Sequence, residues 1–209
     1  MPLSDRDYMR APQPGRGGRR DINYSGFNLD PVLVLIVINF VFFIATLIKS
    51  DLIYDLGVAP SLFTKRSWTI ITSMFIHNGF WHLFGNMITL FFFGRAVYQL
   101  VGSNKFLLVY FVGGIAGNLL YVLLGDPLSL AVGASGAVYA IAGALVVMAP
   151  RIRVLLYFMI PMPLWVVVIV FFVIWSFIPG VAWQAHLGGL SIGLVAGYFL
   201  RRRKGYYVS

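Results

Sequence analysis

Five stretches of this chain carry no charged side chain. They are Pro31–Ile48 (18 residues), Ser67–Gly94 (28), Phe106–Gly125 (20), Pro127–Pro150 (24) and Val154–Leu200 (47). A helix needs about 20 apolar residues to cross the hydrocarbon layer of a bilayer. The last stretch is too long for one crossing and suits two, so the pattern predicts six membrane-spanning helices, most simply in one domain. Strands of a membrane barrel alternate apolar and polar residues, which these runs do not. The expected fold class is therefore an all-α polytopic membrane protein. Composition agrees, with 11% charged residues against about 25% in ordinary globular domains.

The net charge of +9 raises the question of nucleic acid, but the basic residues flank the apolar runs, as they do at the cytoplasmic edge of a membrane. With six crossings both termini share a side. Placing them inside puts 13 of the 16 cationic residues there and leaves Lys49, Lys65 and Arg66 outside. The expected location is a prokaryotic cell membrane with both termini cytoplasmic, and the expected partners are the bilayer and other membrane proteins, not nucleic acid. With no cysteine in the chain, thiol catalysis, disulfides and iron–sulfur ligation are excluded.

Residues 1–28 are polar and rich in Pro, Gly and Arg, and read as a disordered basic cytoplasmic tail. No signal peptide is visible ahead of Pro31, and Asp5, Asp7 and Asp21 count against an organellar transit peptide. The membrane domain is expected over 29–201, with 202–209 as a second cytoplasmic tail. Its helices are expected near 31–48, 79–97, 105–124, 133–149, within 154–178, and 182–200. Pro161 and Pro163 either kink the fifth or mark its start. The apolar stretch Trp68–Ile76 is too short for a crossing of its own and is expected along or partly within the outer leaflet. Small residues recur every fourth position at Gly113/Gly117, Gly136/Ala140/Ala144 and Gly189/Gly193/Gly197, a pattern that lets membrane helices pack closely.

All seven acidic residues are aspartates outside the apolar runs. Carboxylate-based proton relays and ion transport are hard to build without one in the membrane. Three of the runs nevertheless hold reactive or polar groups. Ser135 sits between Gly133 and Gly136 near the start of the fourth expected helix, His186 early in the sixth, and His82 and Asn86 early in the second. Alternating helix directions put all of them near the outer third of the membrane. Ser135 is the nucleophile candidate: the glycines admit a tight turn and close substrate approach, and a helix start offers free N–H groups to a developing oxyanion. Its plain alternative is a small residue at a helix contact. His186 is the candidate general base; the alternative is a hydrogen-bonded packing histidine. His82 and Asn86, four apart, share a face and can both donate, or form a polar clasp between helices. Tyr139, one turn after Ser135, either packs on the His186 ring or fills the core. Ser191 lacks the glycine setting and reads as a packing residue. His77, turned about 140° from His82 on a regular helix, reads as structural or interfacial. With no carboxylate at this depth, any serine hydrolase here works as a dyad.

These residues carry a resemblance. His77-x4-His82-x3-Asn86, then Gly94 and Gly102, then Gly133-x-Ser135-Gly136 with Tyr139, then Ala185-His186-x2-Gly189-x3-Gly193 follow in the order seen in the rhomboid intramembrane serine proteases, which the chain resembles from about Trp68 to Gly197. The resemblance implies a six-helix bundle with a water-filled cavity open to the outside and a Ser135–His186 dyad. It implies an oxyanion site from His82, Asn86 and the Ser135 N–H, and Tyr139 stacked on His186. It implies a membrane-embedded first loop ahead of His77, a mobile fifth helix as substrate gate, substrates that are transmembrane segments of other proteins, and no cofactor or metal. Two positions depart from the usual pattern: Thr69, where members often have Arg after Trp, and Tyr98, where they often have Glu. Two other classes of function compete. One is a catalytically silent rhomboid-like binder of membrane helices, against which the intact serine and histidine argue. The other is a small transporter or metal site on the three histidines, which would leave Ser135 and its glycines unexplained.

Overall fold

The computed structural model describes residues 29–156, 159–176 and 178–201. The tails expected over 1–28 and 202–209 lie outside these residues.

The described chain is mostly helical. Helix α1 spans Pro31–Ile48. Its start is written in two residues. Pro31 occupies the first turn, where a missing N–H costs nothing, and Asp30 caps it by accepting from Val32 N at 2.9 Å. The other Asp30 carboxylate oxygen lies 3.5 Å from Arg95 Nη2, which ties the beginning of α1 to the helical segment over residues 80–101.

Beyond α1 the chain makes a compact cap of short turns: α2 (Leu52–Leu56), a 3₁₀ turn (Pro60–Leu62), α3 (Thr69–Thr72) and a second 3₁₀ turn (Ser73–Phe75). Cross-links make it one unit. Thr72 Oγ1 donates to Leu56 O at 2.8 Å, and Arg66 Nη1 donates to Tyr54 O at 3.2 Å and lies 3.5 Å from Asp55. Thr69, where the resemblance would lead to an expected Arg, is buried, and its hydroxyl donates to Arg66 O at 2.6 Å.

A long rod follows from Phe80 to Val101. It consists of α4 (Phe80–Thr89), one π turn (Leu90–Gly94) and α5 (Arg95–Val101). Gly102, at φ 82°, ends the rod and opens α6 (Ser103–Leu124), a reversal that a side chain would strain. α7 spans Ser135–Met148 and α9 spans Trp183–Leu200. By length and composition alone, α1 and α6 are long and apolar enough to cross a membrane, and α7 is a shorter apolar helix.

The fifth helix, expected within 154–178 with Pro161 and Pro163 either kinking it or marking its start, begins after the second proline. Arg153–Leu156 (β1) and Ile160–Pro163 (β2) form an antiparallel hairpin, with Leu155 opposite Pro161, and α8 (Leu164–Ser176) begins only after Pro163. Proline cannot continue a helix ladder but is tolerated where strands are edges, as both are in a two-stranded ribbon. Of the α8 side chains described, only Leu164 and Val168 are buried.

The centre of the molecule is α6, α7 and α9, and glycine sets their spacing. A Cβ on Gly189 would fall on the Gly136 carbonyl oxygen, one on Gly193 on the Ala140 carbonyl oxygen, and one on Gly197 2.7 Å from Ala144 O. Equal steps along both helices mean that α7 and α9 run parallel. On α6, Gly113 meets Ala140 while Gly117 meets Ala185, so α6 runs against both. Close approach of this kind is how helices gain packing energy where the surroundings are as apolar as their own side chains.

Candidate active site

Parallel packing brings the starts of α7 and α9 to the same end of the bundle. Ser135 is the first residue of α7 and His186 the fourth of α9. Ser135 Oγ lies 2.9 Å from His186 Nε2. That is hydrogen-bond distance for a nucleophile and its base. His186 is buried, and its other ring nitrogen has no hydrogen-bond partner among the described residues. Tyr139, one turn along α7, lies over the imidazole with ring centroids 4.5 Å apart and planes at 30°.

The turn into α7 is held on both sides. Gly133, at φ 122°, passes directly against the His82 ring: an added Cβ would lie 2.7 Å from His82 Nε2. Gly133 N donates to Ser73 O at 2.9 Å, and Ala134 N donates to His77 Nε2 at 3.4 Å. The next amide, Ser135 N–H, has no backbone acceptor among the described residues. It is one of the free donors that every helix start leaves, here beside the serine hydroxyl and the His82 ring. Farther back, Val58 and Ala131 exchange a pair of backbone hydrogen bonds of 3.0 and 2.8 Å, which secures the approach segment to the cap.

His82 and Asn86 both lie on α4, and Asn86 is buried. Asn86 Nδ2 donates to His82 O at 2.8 Å, which engages one of the two N–H donors an amide carries. Gly136 contacts Ala185 O across the α7–α9 interface, 3.2 Å from where its Cβ would stand. Ser191 departs from expectation. It is exposed rather than packed, and its hydroxyl turns back to Leu187 O at 2.8 Å.

His77 shows where helical periodicity misleads. Gly79, at φ 93°, interrupts the chain between His77 and α4, so the 140° offset does not apply. Its ring sits edge-on to His82, centroids 5.1 Å apart, and is buried. The sequence reads His77 as structural or interfacial; its Nε2 accepts from Ala134 N in the turn ahead of Ser135. Asn118, on α6, escaped notice in the sequence; its signal was a lone amide inside the uncharged run Phe106–Gly125.

Among the described residues no group of three or more His, Cys, Asp or Glu side chains is arranged to hold a metal ion.

A mostly helical membrane fold with a serine and a histidine in hydrogen-bond contact at one end defines the class. The model of the Rhomboid domain matches residues 64–203, and the chain belongs to the rhomboid family, whose members are embedded in membranes. Among its relatives, Rhomboid protein 1 of Saccharomyces cerevisiae, a mitochondrial protein, is 30% identical over 154 residues, covering 64% of this chain and 42% of that one. YdcA of Bacillus subtilis is 34% identical over 154 residues, covering 72% of this chain and 74% of that one. Rhomboid protease GluP, also of Bacillus subtilis, is 31% identical over 129 residues, 62% of this chain and 25% of that one. The match thus spans less than half of the yeast relative. With mitochondrial relatives in yeast and Arabidopsis thaliana, the expectation of a prokaryotic membrane finds no support.

Gly133→Ala is expected to lower turnover of a membrane substrate by about 100-fold, because a displacement of about 1 Å at a reacting group costs that much. The new methyl meets the His82 ring, and φ 122° is closed to alanine. Initial rates of purified variant and parent check this.

Proposed function

We propose that the chain is an intramembrane serine protease that cuts transmembrane segments of other membrane proteins through a Ser135–His186 dyad. The observation that carries this is the 2.9 Å contact between Ser135 Oγ and His186 Nε2 beside a helix start with a free N–H. His186 Nε2 takes the hydroxyl proton as Ser135 Oγ bonds to the substrate carbonyl carbon. The resulting oxyanion is held by the Ser135 N–H, with His82 and the second Asn86 N–H as the side-chain donors. His186 then hands its proton to the leaving amine as the C–N bond breaks. Water, deprotonated by the same nitrogen, opens the acyl-enzyme and returns the serine. Gly133 and Gly136 keep the site open, Tyr139 holds the imidazole, and neither metal nor cofactor takes part.

The supporting frame is six crossings: α1, the α4–α5 rod, α6, α7, α8 and α9, forming one domain over 29–201 between two cytoplasmic tails. The distribution of Arg and Lys favours both termini on the cytoplasmic side, which places the dyad near the outer surface, within reach of water. The lightly buried α8 suits a gate through which a substrate helix enters.

The test is incubation of the purified protein with a panel of single-span membrane proteins, any cut being mapped by mass spectrometry, alongside labelling with a serine-directed fluorophosphonate. Cleavage, with labelling that vanishes in Ser135→Ala, is the expected result. A protein that retains membrane helices yet neither cuts nor labels would instead be a silent rhomboid-like binder.

A further inference from the structure

The Ser135 turn hangs from a segment that is itself anchored at one deep point. Asn118 lies on α6, buried, and its side-chain amide donates to Ile70 O at 2.7 Å and to Ser73 Oγ at 2.9 Å. Ser73, also buried, gives its own carbonyl to Gly133 N at 2.9 Å. Four residues on from Ser73, His77 receives Ala134 N. Two consecutive amides ahead of Ser135 are therefore held by segment 69–77, and Asn118 holds that segment to the bundle. Neither Asn118 nor Ser73 makes a hydrogen bond to Ser135, His186, His82 or Asn86.

An asparagine inside an apolar helix is costly unless its hydrogen bonds are made. Here both amide donors are spent on one target, the segment that carries the Ser135 turn. We propose that Asn118 is a positioning residue for Ser135, acting through Ser73 and the Gly133 amide; this rests on the protease reading of Ser135. It sets the height and rotation of segment 69–77, and through it the direction of the Ser135 hydroxyl and N–H. Those directions count when the oxyanion forms, more than when the substrate first binds. The loss on removing Asn118 therefore falls on kcat and leaves KM nearly unchanged.

The experiment uses the full chain in proteoliposomes, a cleavable transmembrane substrate and a fluorophosphonate probe. Asn118→Leu is expected to lower kcat by about 10- to 100-fold, with KM within about twofold and slower labelling of Ser135. Ser73→Ala, which keeps the Gly133 hydrogen bond and the Asn118 bond to Ile70 O but loses the Asn118 bond to Ser73 Oγ, is expected to give part of that loss. The double variant is expected to be no worse than Asn118→Leu, since both act along one chain of contacts. Asn118→Gln, which retains the amide, is expected to recover part of the rate. Should Asn118→Leu not fold, Ser73→Ala and Asn118→Gln carry the same kcat-against-KM reading. Unchanged kcat and labelling, a loss confined to KM, or additive losses in the double variant would overturn the assignment. A parent protein that never labels at Ser135 would overturn the protease reading, and this one with it. A parent that labels beside an Asn118→Leu variant that labels equally fast overturns only the role of Asn118.

Discussion

Ser135→Ala is expected to eliminate proteolysis, with turnover of a transmembrane substrate falling by about 10⁴-fold or more, the scale seen when a serine nucleophile is removed. The change is small in every other respect. It deletes one oxygen from a half-buried side chain at a helix start, and with it one hydrogen bond to His186, worth about 1 kcal/mol net. The methyl remains in contact with the same neighbours, so the fold is expected to survive and the unfolding midpoint to move little. His186→Ala is expected to match it. The double variant is expected to be no slower than either alone, because two groups that act as a unit do not lose their effects additively. Cleavage at the parental rate by folded Ser135→Ala would remove the serine from the mechanism.

The second large effect is structural and reaches the site from outside it. Gly189→Val is expected to destabilise the protein by about 3 kcal/mol or more, at or above the upper end for overpacking an interior, and to abolish activity in whatever fraction folds. At Gly189 the obstacle is the Gly136 carbonyl oxygen, part of the α7 backbone, which no rotamer change can move aside. α7 and α9 must separate, and the contact lies one residue after Ser135 and three after His186, so separation acts directly on the 2.9 Å contact. Gly85→Ala provides the contrast. Nothing lies within 4 Å of its would-be Cβ, and inside a helix the change is expected to gain up to about 1 kcal/mol. Unfolding of both variants in the same detergent, with fluorophosphonate labelling as second readout, checks the pair. Equal stability of the two would refute glycine-set spacing of α7 and α9.

The membership of the chain in the rhomboid family and the ends of several helices were legible without coordinates. α1 begins at Pro31 and stops at Ile48, the limits of its uncharged run, because charge and capping residues bound it. α9 was likewise readable, between the Trp183 region and Arg201. The hairpin at 153–163 was not. From Val154 to Trp175 the residues are almost all apolar, and such a run has no period to tell strand from helix. The two prolines were the only local sign, and they fitted a kink as well as a start. The π turn at Leu90–Gly94 likewise left no trace in the hydropathy. Ser191, without the glycine setting of Ser135, reads as a packing residue, yet the face of α9 that meets α7 carries Gly189, Gly193 and Gly197, and Ser191 is on another.

The site divides in the same way. Ser135 between glycines, His186 at the head of a glycine stripe, and His82 four before Asn86 are local patterns, so residue types and spacing alone singled them out and ordered them along the chain. Distance is not local. That Ser135 and His186 meet follows from α7 and α9 running parallel in backbone contact. That His77 and Asn118 support the same turn follows from a cap folded back onto α6. A sequence by itself determines which residues bury favourably and which helices begin or end, since these depend on neighbours a few positions away. Only the tertiary structure decides which polar groups share a partner, because a hydrogen bond spanning 45 or 51 residues is set by the packing of whole helices.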